Sequence, residues 1–313
     1  MALTQGGQKP KWLYYAALIF VVIFWGLATV LAYYLYRFYS AAALSAIMTL
    51  VAAIFFWALA GKKIKQIDRH YWKIALPIGI VNALANLLQK IGLQYTTPAN
   101  CIFFEHISCI VVPIMMFLFI RKRPTILQAL AGICCLAGCF ILSGAGTSGL
   151  GAFNIGDVLC LSAGVLFGVY IAGVSAYTKE LNVILFMVFQ MTVYFLVSLL
   201  TAVGLHVIRV DGVPMEQIVI TWDLPLMLLV IVLGLVSIAL CWLLKTEAIR
   251  HIDPVKVATV SPFSAVVTGV VSVWVGIDAL TPSLVIGGSI IFLSVAVPEI
   301  IEAASARKKA KSV

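Results

Sequence analysis

Ten stretches of the chain stay apolar for about 20 residues or more: 12–36, 39–60, 72–95, 98–120, 124–144, 154–177, 181–208, 224–249, 254–276 and 282–303. At about 1.5 Å per helical residue, each can cross a hydrocarbon core of about 30 Å. The pattern predicts ten transmembrane helices joined by short loops, the longest near 61–71 and 209–223. Helix starts are marked as well. Pro98, Pro124, Pro225, Pro254 and Pro282 stand at expected first-turn positions, where the missing N–H costs nothing. Thr97, Asp253 and Thr281 precede three of them as N-caps. Pro77, Pro113 and Pro262 fall inside spans three, four and nine, where each is expected to free a carbonyl and kink its helix.

Polar positions inside these segments keep helical spacing. Span three carries Asn82, Asn86, Gln89 and Lys90 as one stripe, read equally as cavity lining or as interhelical hydrogen bonding. In span four Cys101, Glu105 and Ser108 share a face. A carboxylate at membrane depth costs about 2.5–3.5 kcal/mol on insertion scales, so Glu105 needs a reason. It suits a cationic or amine-bearing ligand, a coupling proton, or an ion pair with Lys90. His106 points about 100° away and suits a proton relay or a hydrogen-bonded packing role. Span eight carries Ser237, Cys241 and Lys245, with Lys245 near one end and expected to snorkel. Span nine carries Ser261, Ser264, Thr268 and Ser272, a small-polar stripe suited to close packing or to a pore wall. Trp25, Trp57, Tyr170, Tyr194 and Trp242 lie deep in their spans, and Trp25 and Tyr170 are candidates to face a central cavity.

Hydrophobic residues make up 63% of the chain and charged residues 11%. Soluble domains average roughly 45–50% and 25%. The composition defines an all-α polytopic membrane protein, and the short loops leave no room for a nucleotide-binding domain. The net charge of +9 reads as topology and not as nucleic-acid binding. Of 21 Lys and Arg, all but four fall at the membrane face that holds the N-terminus. Arg37 and Arg209 are opposite, and Lys90 and Lys245 lie within spans. Both termini are therefore expected in the cytoplasm of a bacterial inner membrane. All seven cysteines fall in spans and read as small buried hydrophobes. No metal, cofactor or catalytic motif is expected.

One hairpin occurs twice. Residues 97–132 and 253–288 align without a gap at an offset of 156: Thr97-Pro98 with Asp253-Pro254, Thr125 with Thr281, Gly132 with Gly288. Phe24-Trp25-Gly26 matches Leu166-Phe167-Gly168 at an offset of 142. An insertion near 209–223 accounts for the difference. The chain therefore divides into two five-helix repeats, 1–146 and 151–313, joined by a glycine- and serine-rich linker from Ser143 to Gly151. Five being odd, the second repeat enters the membrane inverted.

These residues carry a resemblance. Gly92-Leu93-Gln94-Tyr95-Thr96-Thr97-Pro98-Ala99, Ala248-Ile249-Arg250-His251-Ile252-Asp253-Pro254 and Trp25-Gly26, within a five-plus-five duplication, resemble the drug/metabolite transporter superfamily and its EamA-type members. The family often shows Gly-Glu where this chain has Arg121-Lys122 and Ile277-Asp278. It commonly has proline where Pro262 stands, whereas the first repeat has Glu105-His106 in place of Ser261-Pro262. The resemblance implies secondary transport of a small organic metabolite, such as an amino acid, an amine or a related compound, usually by export. Import of a vitamin or quaternary amine fits the residues equally. A channel or a membrane-embedded receptor is the rival from another class. The expected partners are lipid, a small-molecule substrate and protons as a candidate coupling ion, in a monomer or homodimer. The expected cavity residues are Glu105, His106, Lys90, Asn82, Asn86, Gln89, Trp25, Tyr170, Tyr194, Ser261, Ser264 and Thr268.

Overall fold

The apolar segments become helices in the computed structural model, which describes residues 10–96, 98–143, 154–210, 213–214, 216–277 and 279–311. Thr97, Asp278 and linker residues 144–151 lie outside the described residues. The helices are α1 (Lys11–Leu35), α2 (Ala41–Ala60), α3 (Arg69–Tyr95), α4 (Pro98–Glu105), α5 (Ser108–Ile120), α6 (Ile126–Leu142), α7 (Ile155–Tyr177), α8 (Val183–Val207), α9 (Leu224–Leu233), α10 (Cys241–His251), α11 (Pro254–Val260), α12 (Phe263–Trp274) and α13 (Pro282–Lys311). A stretch of wider π-type winding, Gly234–Leu240, joins α9 to α10. A two-residue antiparallel pair, Arg209–Val210 with Val213–Pro214, interrupts the loop after α8. Among the described residues, eight helical stretches are long and apolar enough to cross a membrane. Two shorter apolar helices, Ile126–Leu142 and Pro282–Pro298, accompany them.

Local chemistry explains the boundaries. Asp253 caps α11 through Val255 N–H at 3.0 Å, and the Thr281 hydroxyl accepts from Leu284 N–H at 3.2 Å. Asp68, Asn154, Asn182 and Asp223 cap α3, α7, α8 and α9. Pro124 is a correction to the expected starts. Thr125 and Gln128 form a capping box, so α6 begins at Ile126 and Pro124 stands ahead of the cap. Pro77 and Pro113 sit inside continuous helices, whereas Pro262 lies at a break.

The bundle is apolar outside, and its largely apolar interior holds a minority of buried polar side chains. Ile126, Ile133, Leu200, Val270 and Trp274 present large exposed apolar surfaces. Asn82, Gln190, Thr49 and Thr246 are fully buried. An apolar exterior with polar groups kept inside suits a lipid solvent. Trp57, expected deep, is an outer residue at 45% exposure, and its indole donates to Thr192 at 2.9 Å. α7 packs on α3 and on α4–α5, while α1 packs on α10 and α12; α2 packs on α8, and α6 on α13.

α3 and α7 cross at two glycines. A Cβ on Gly156 would lie 2.6 Å from the Gly92 oxygen and 2.8 Å from Thr96 N, where backbone cannot yield. Gly156→Val is expected to cost at least the ~1–3 kcal/mol of overpacking, read as a lowered Tm of the purified protein. Gly204→Val, with nothing within 4 Å of its Cβ, is the matched control and is expected to leave Tm near wild type or above it.

Candidate functional site

Span four breaks where the sequence put its acid. α4 ends at Glu105, His106 and Ile107 form a turn, and α5 resumes at Ser108. Span nine breaks at the matching register, with Ser261 and Pro262 between α11 and α12. There the cause is proline, which has no N–H for the carbonyl of Ala258. The Cys109 thiol donates to that carbonyl at 3.3 Å, and the Cys135 thiol to Thr259 O at 3.5 Å. These two cysteines are thus donors to a broken helix as well as small buried residues. Cys134 is exposed, against the expectation of burial for all seven. The span-four break has no proline. Gly164 of α7 abuts it instead: a Cβ there would meet Phe104 O at 2.4 Å and Glu105 O at 2.7 Å.

Glu105 Oε2 accepts a 2.6 Å hydrogen bond from Gln89 Nε2. The pair with Lys90 does not form. The Lys90 ammonium instead donates to Ser45 Oγ and lies 5.4 Å from the centre of the Tyr194 ring. Ser45 in turn meets Ser198 at 3.3 Å. Tyr194 donates to Asn86 Oδ1 at 2.7 Å, and Asn86 Nδ2 reaches Asn82 O at 2.8 Å. Lys90, Tyr194, Asn86 and Asn82 therefore form one polar chain, and Gln89 with Glu105 a separate pair. His106 is buried at the turn near Cys135.

Trp25 and Tyr170 meet in a second cluster whose centre is Trp242. The ring centres lie 5.3 Å apart for Trp25–Trp242 and 5.6 Å for Tyr170–Trp242, the latter edge to face. Trp25 donates to Ser237 O at 2.9 Å, in the π-type segment. Tyr170 hydrogen-bonds Gln190 and Thr246 at 3.2 and 3.3 Å. Lys245 lies over both indoles, 4.7 Å from Trp25 and 5.3 Å from Trp242, and is only 7% exposed. The snorkelling expectation is wrong for Lys245. The helix end turns inward against Trp25, and the ammonium stays among rings. It makes no ion pair with an acid among the described residues; Glu105 is the carboxylate whose charge reaches it.

The span-nine hydroxyls behave as packing residues. Ser261 bonds Val257 O, Ser264 bonds Ser261 O, and Thr268 bonds Ser264 O and Gly26 O, at 2.9–3.2 Å. At the bundle end that holds the N-terminus, Lys122 pairs with Asp253 at 2.7 Å, and Gln128 donates to the same oxygen at 3.1 Å. Burial pushes the Asp253 carboxyl up. The Lys122 ammonium, the Val255 amide and Gln128 outweigh it and hold the group below the usual carboxylate range. Arg250 bonds Glu247 and the carbonyls of Lys179 and Leu181, so the Arg250–Pro254 stretch fastens α10 to the α7–α8 turn.

Sequence reasoning missed Ser45, Ser198, Gln190 and Thr246, which carry no charge, and misread Lys245. One signal for Lys245 was present: it stands at the 156-residue equivalent of Gln89, the partner of Glu105.

Apolar helices around a charged, aromatic-lined interior define a multi-pass membrane protein. The chain belongs to the EamA-like transporter family, whose model matches residues 12–144 and again 154–297. Over 127 residues it is 29% identical to an uncharacterized transporter from Archaeoglobus fulgidus, a match covering 41% of this chain and 40% of that protein. One solved crystal structure superposes with a TM-score of 0.73 at 16% identity, over 91% of this chain and 97% of its own, a likeness of fold alone.

Proposed function

We propose that the chain is a secondary carrier for a small organic metabolite, built as ten spans in two inverted repeats, 1–146 and 151–313, that rock about a shared cavity. The packings support the repeat, because exchanging the halves turns each into another: α3 on α7 becomes α10 on α1, and α4–α5 on α7 becomes α11–α12 on α1. The match reaches single residues. A Cβ on Gly26 would meet Val267 Cβ at 2.6 Å, and one on Gly168 would meet Val111 Cβ at 2.6 Å. These positions differ by the offsets of 142 and 156 read from the sequence. The Lys and Arg distribution supports cytoplasmic termini, and a bacterial inner membrane is part of the same reading.

The observation that carries the reading is Glu105: a carboxylate in a helix break within the membrane, bonded to a neutral amide and not to a lysine. It is the binding group for an amine-bearing substrate or the coupling proton. Export follows the family resemblance.

The test uses proteoliposomes containing wild type or Glu105→Gln, loaded with candidate metabolites. Wild type is expected to show saturable counterflow that varies with pH. The variant is expected to lose at least tenfold in rate or to lose the pH dependence, while Gln89 keeps a partner and the fold its Tm. Unchanged counterflow and pH profile in the variant would remove Glu105 from the mechanism. An ohmic current without counterflow would make the protein a channel.

A further inference from the structure

A cavity of about 260 Å³ opens between α1, α2, α3 and α8 at the bundle end opposite the N-terminus. It is just under the roughly 300–1,000 Å³ of sites for drug-sized ligands, the size of a small metabolite. Lys90 stands in one wall beside Ser45 and the Tyr194 ring. Glu216 stands in another, delivered by the loop after α8, the segment that the two sequence offsets mark as an insertion. The described part of that loop is tied to the α1–α2 turn. Ser40 N–H donates to Val219 O at 3.1 Å, the Tyr39 hydroxyl donates to Thr221 O at 2.8 Å, and the Thr221 hydroxyl donates to Phe38 O at 2.8 Å.

The electrostatics are unfinished. Glu216 Oε1 accepts Ala42 N–H at 3.1 Å, but Oε2 is buried with no donor. Lys90 has a serine hydroxyl and a ring face, and among the described residues no carboxylate forms an ion pair with it. Two opposite charges thus share one small cavity, near enough for Glu216 to act on Lys90 but without a direct ion pair, between apolar walls that include Met48 and Ile238. Leaving both unpaired is costly, and a ligand that carries both charges relieves it.

We infer that this cavity is a zwitterion site. It takes an α-amino acid with an apolar side chain, whose carboxylate docks on Lys90 and Ser45 and whose ammonium docks on Glu216 Oε2. The inference rests on the carrier reading for its role in transport, but not for binding. Ile238 adjoins Ser237, whose carbonyl accepts from the Trp25 indole.

The experiment is calorimetric binding to purified wild type of L-leucine, L-methionine and L-phenylalanine. For any that binds, its carboxamide and its deaminated acid follow. At least one amino acid is expected to bind, and both single-charge analogues to bind at least tenfold more weakly. Lys90→Met and Glu216→Gln are each expected to weaken the amino acid at least tenfold; the Gln amide oxygen still accepts from Ala42, so α2 keeps its cap. Absence of binding by all three amino acids would overturn the inference, as would analogues that bind equally well. Unchanged affinity in Glu216→Gln would reduce Glu216 to a cap of α2 and overturn it too. If Lys90→Met fails to fold, the analogue series on wild type decides. Counterflow of another metabolite without amino-acid binding would sink this site and leave the carrier reading standing; binding without counterflow would do the reverse.

Discussion

Lys245→Met is expected to abolish transport and to leave the fold as stable as wild type or more so. The ammonium is buried between Trp25 and Trp242 with no acid paired to it. Two ring faces return about 2 kcal/mol or more for a desolvated cation, less than the several kcal/mol that desolvation costs. Methionine fills a similar volume, keeps contact with both indoles, and needs no partner. Replacing buried charge with apolar volume commonly gains about 1–4 kcal/mol. A lysine kept at that expense serves function: its charge, held between two indoles, is the expected docking point for an anionic group passing through. The measurement is Tm and counterflow on the same preparation. A variant that transports normally would make Lys245 dispensable, and one that unfolds would make it a structural cation.

Breaking the Lys122–Asp253 tie is expected to shift the carrier toward the state open at the N-terminal end. The pair joins the loop after α5 to the cap of α11, one from each repeat. Lys122 is 45% exposed, so solvent screening limits the pair to about 1 kcal/mol or less. That is still enough for up to a fivefold change in the ratio of two states. Lys122→Met leaves the Asp253 cap in place and is the clean variant. Faster amide hydrogen exchange at 121–128 and 254–260 is expected, with residues 36–42 unchanged or slower. Equal exchange everywhere would mean that the tie holds no state. The pH sign follows from Asp253, whose carboxyl is held down in the fold. Its stabilisation is fully present above the unfolded value of about 3.9 and is lost as pH falls through the lower folded value. Between pH 5 and 8 the tie is therefore constant, and any pH dependence of transport there belongs to another group.

Helix positions were readable from the chain because lipid leaves a span few choices: an apolar run of about 20 residues must satisfy its own backbone. The repeat reading rests on the offsets of 142 and 156, and the close approaches Gly26–Val267 and Gly168–Val111, which differ by the same offsets, support it. Helix breaks were harder. Three prolines looked alike, and only Pro262 lies at a break; the break at His106 has no proline and depends on Gly164, about 60 residues away in sequence. The site was half legible. Glu105 announced itself by charge and Gln89 by spacing, but the Lys90–Glu105 pairing failed because rotamer choice, which places Lys90 on Ser45, is not written in spacing. Lys245 was misjudged because depth was counted along one helix, whereas burial is set by what packs against it, here Trp25 from the other repeat.

The two helix breaks occupy one register but are chemically unequal. Pro262 has no N–H, so the joint in span nine is a fixed elbow, and Cys109 and Cys135 occupy its open carbonyls. His106 and Ile107 both have an N–H, so the joint in span four can rewind into continuous helix without losing a donor. Rewinding would rotate α4 against α5 and swing Glu105 away from Gln89. One break is thus fixed by the chemistry of proline and the other is held by packing against Gly164, and Glu105 stands at the edge of the second.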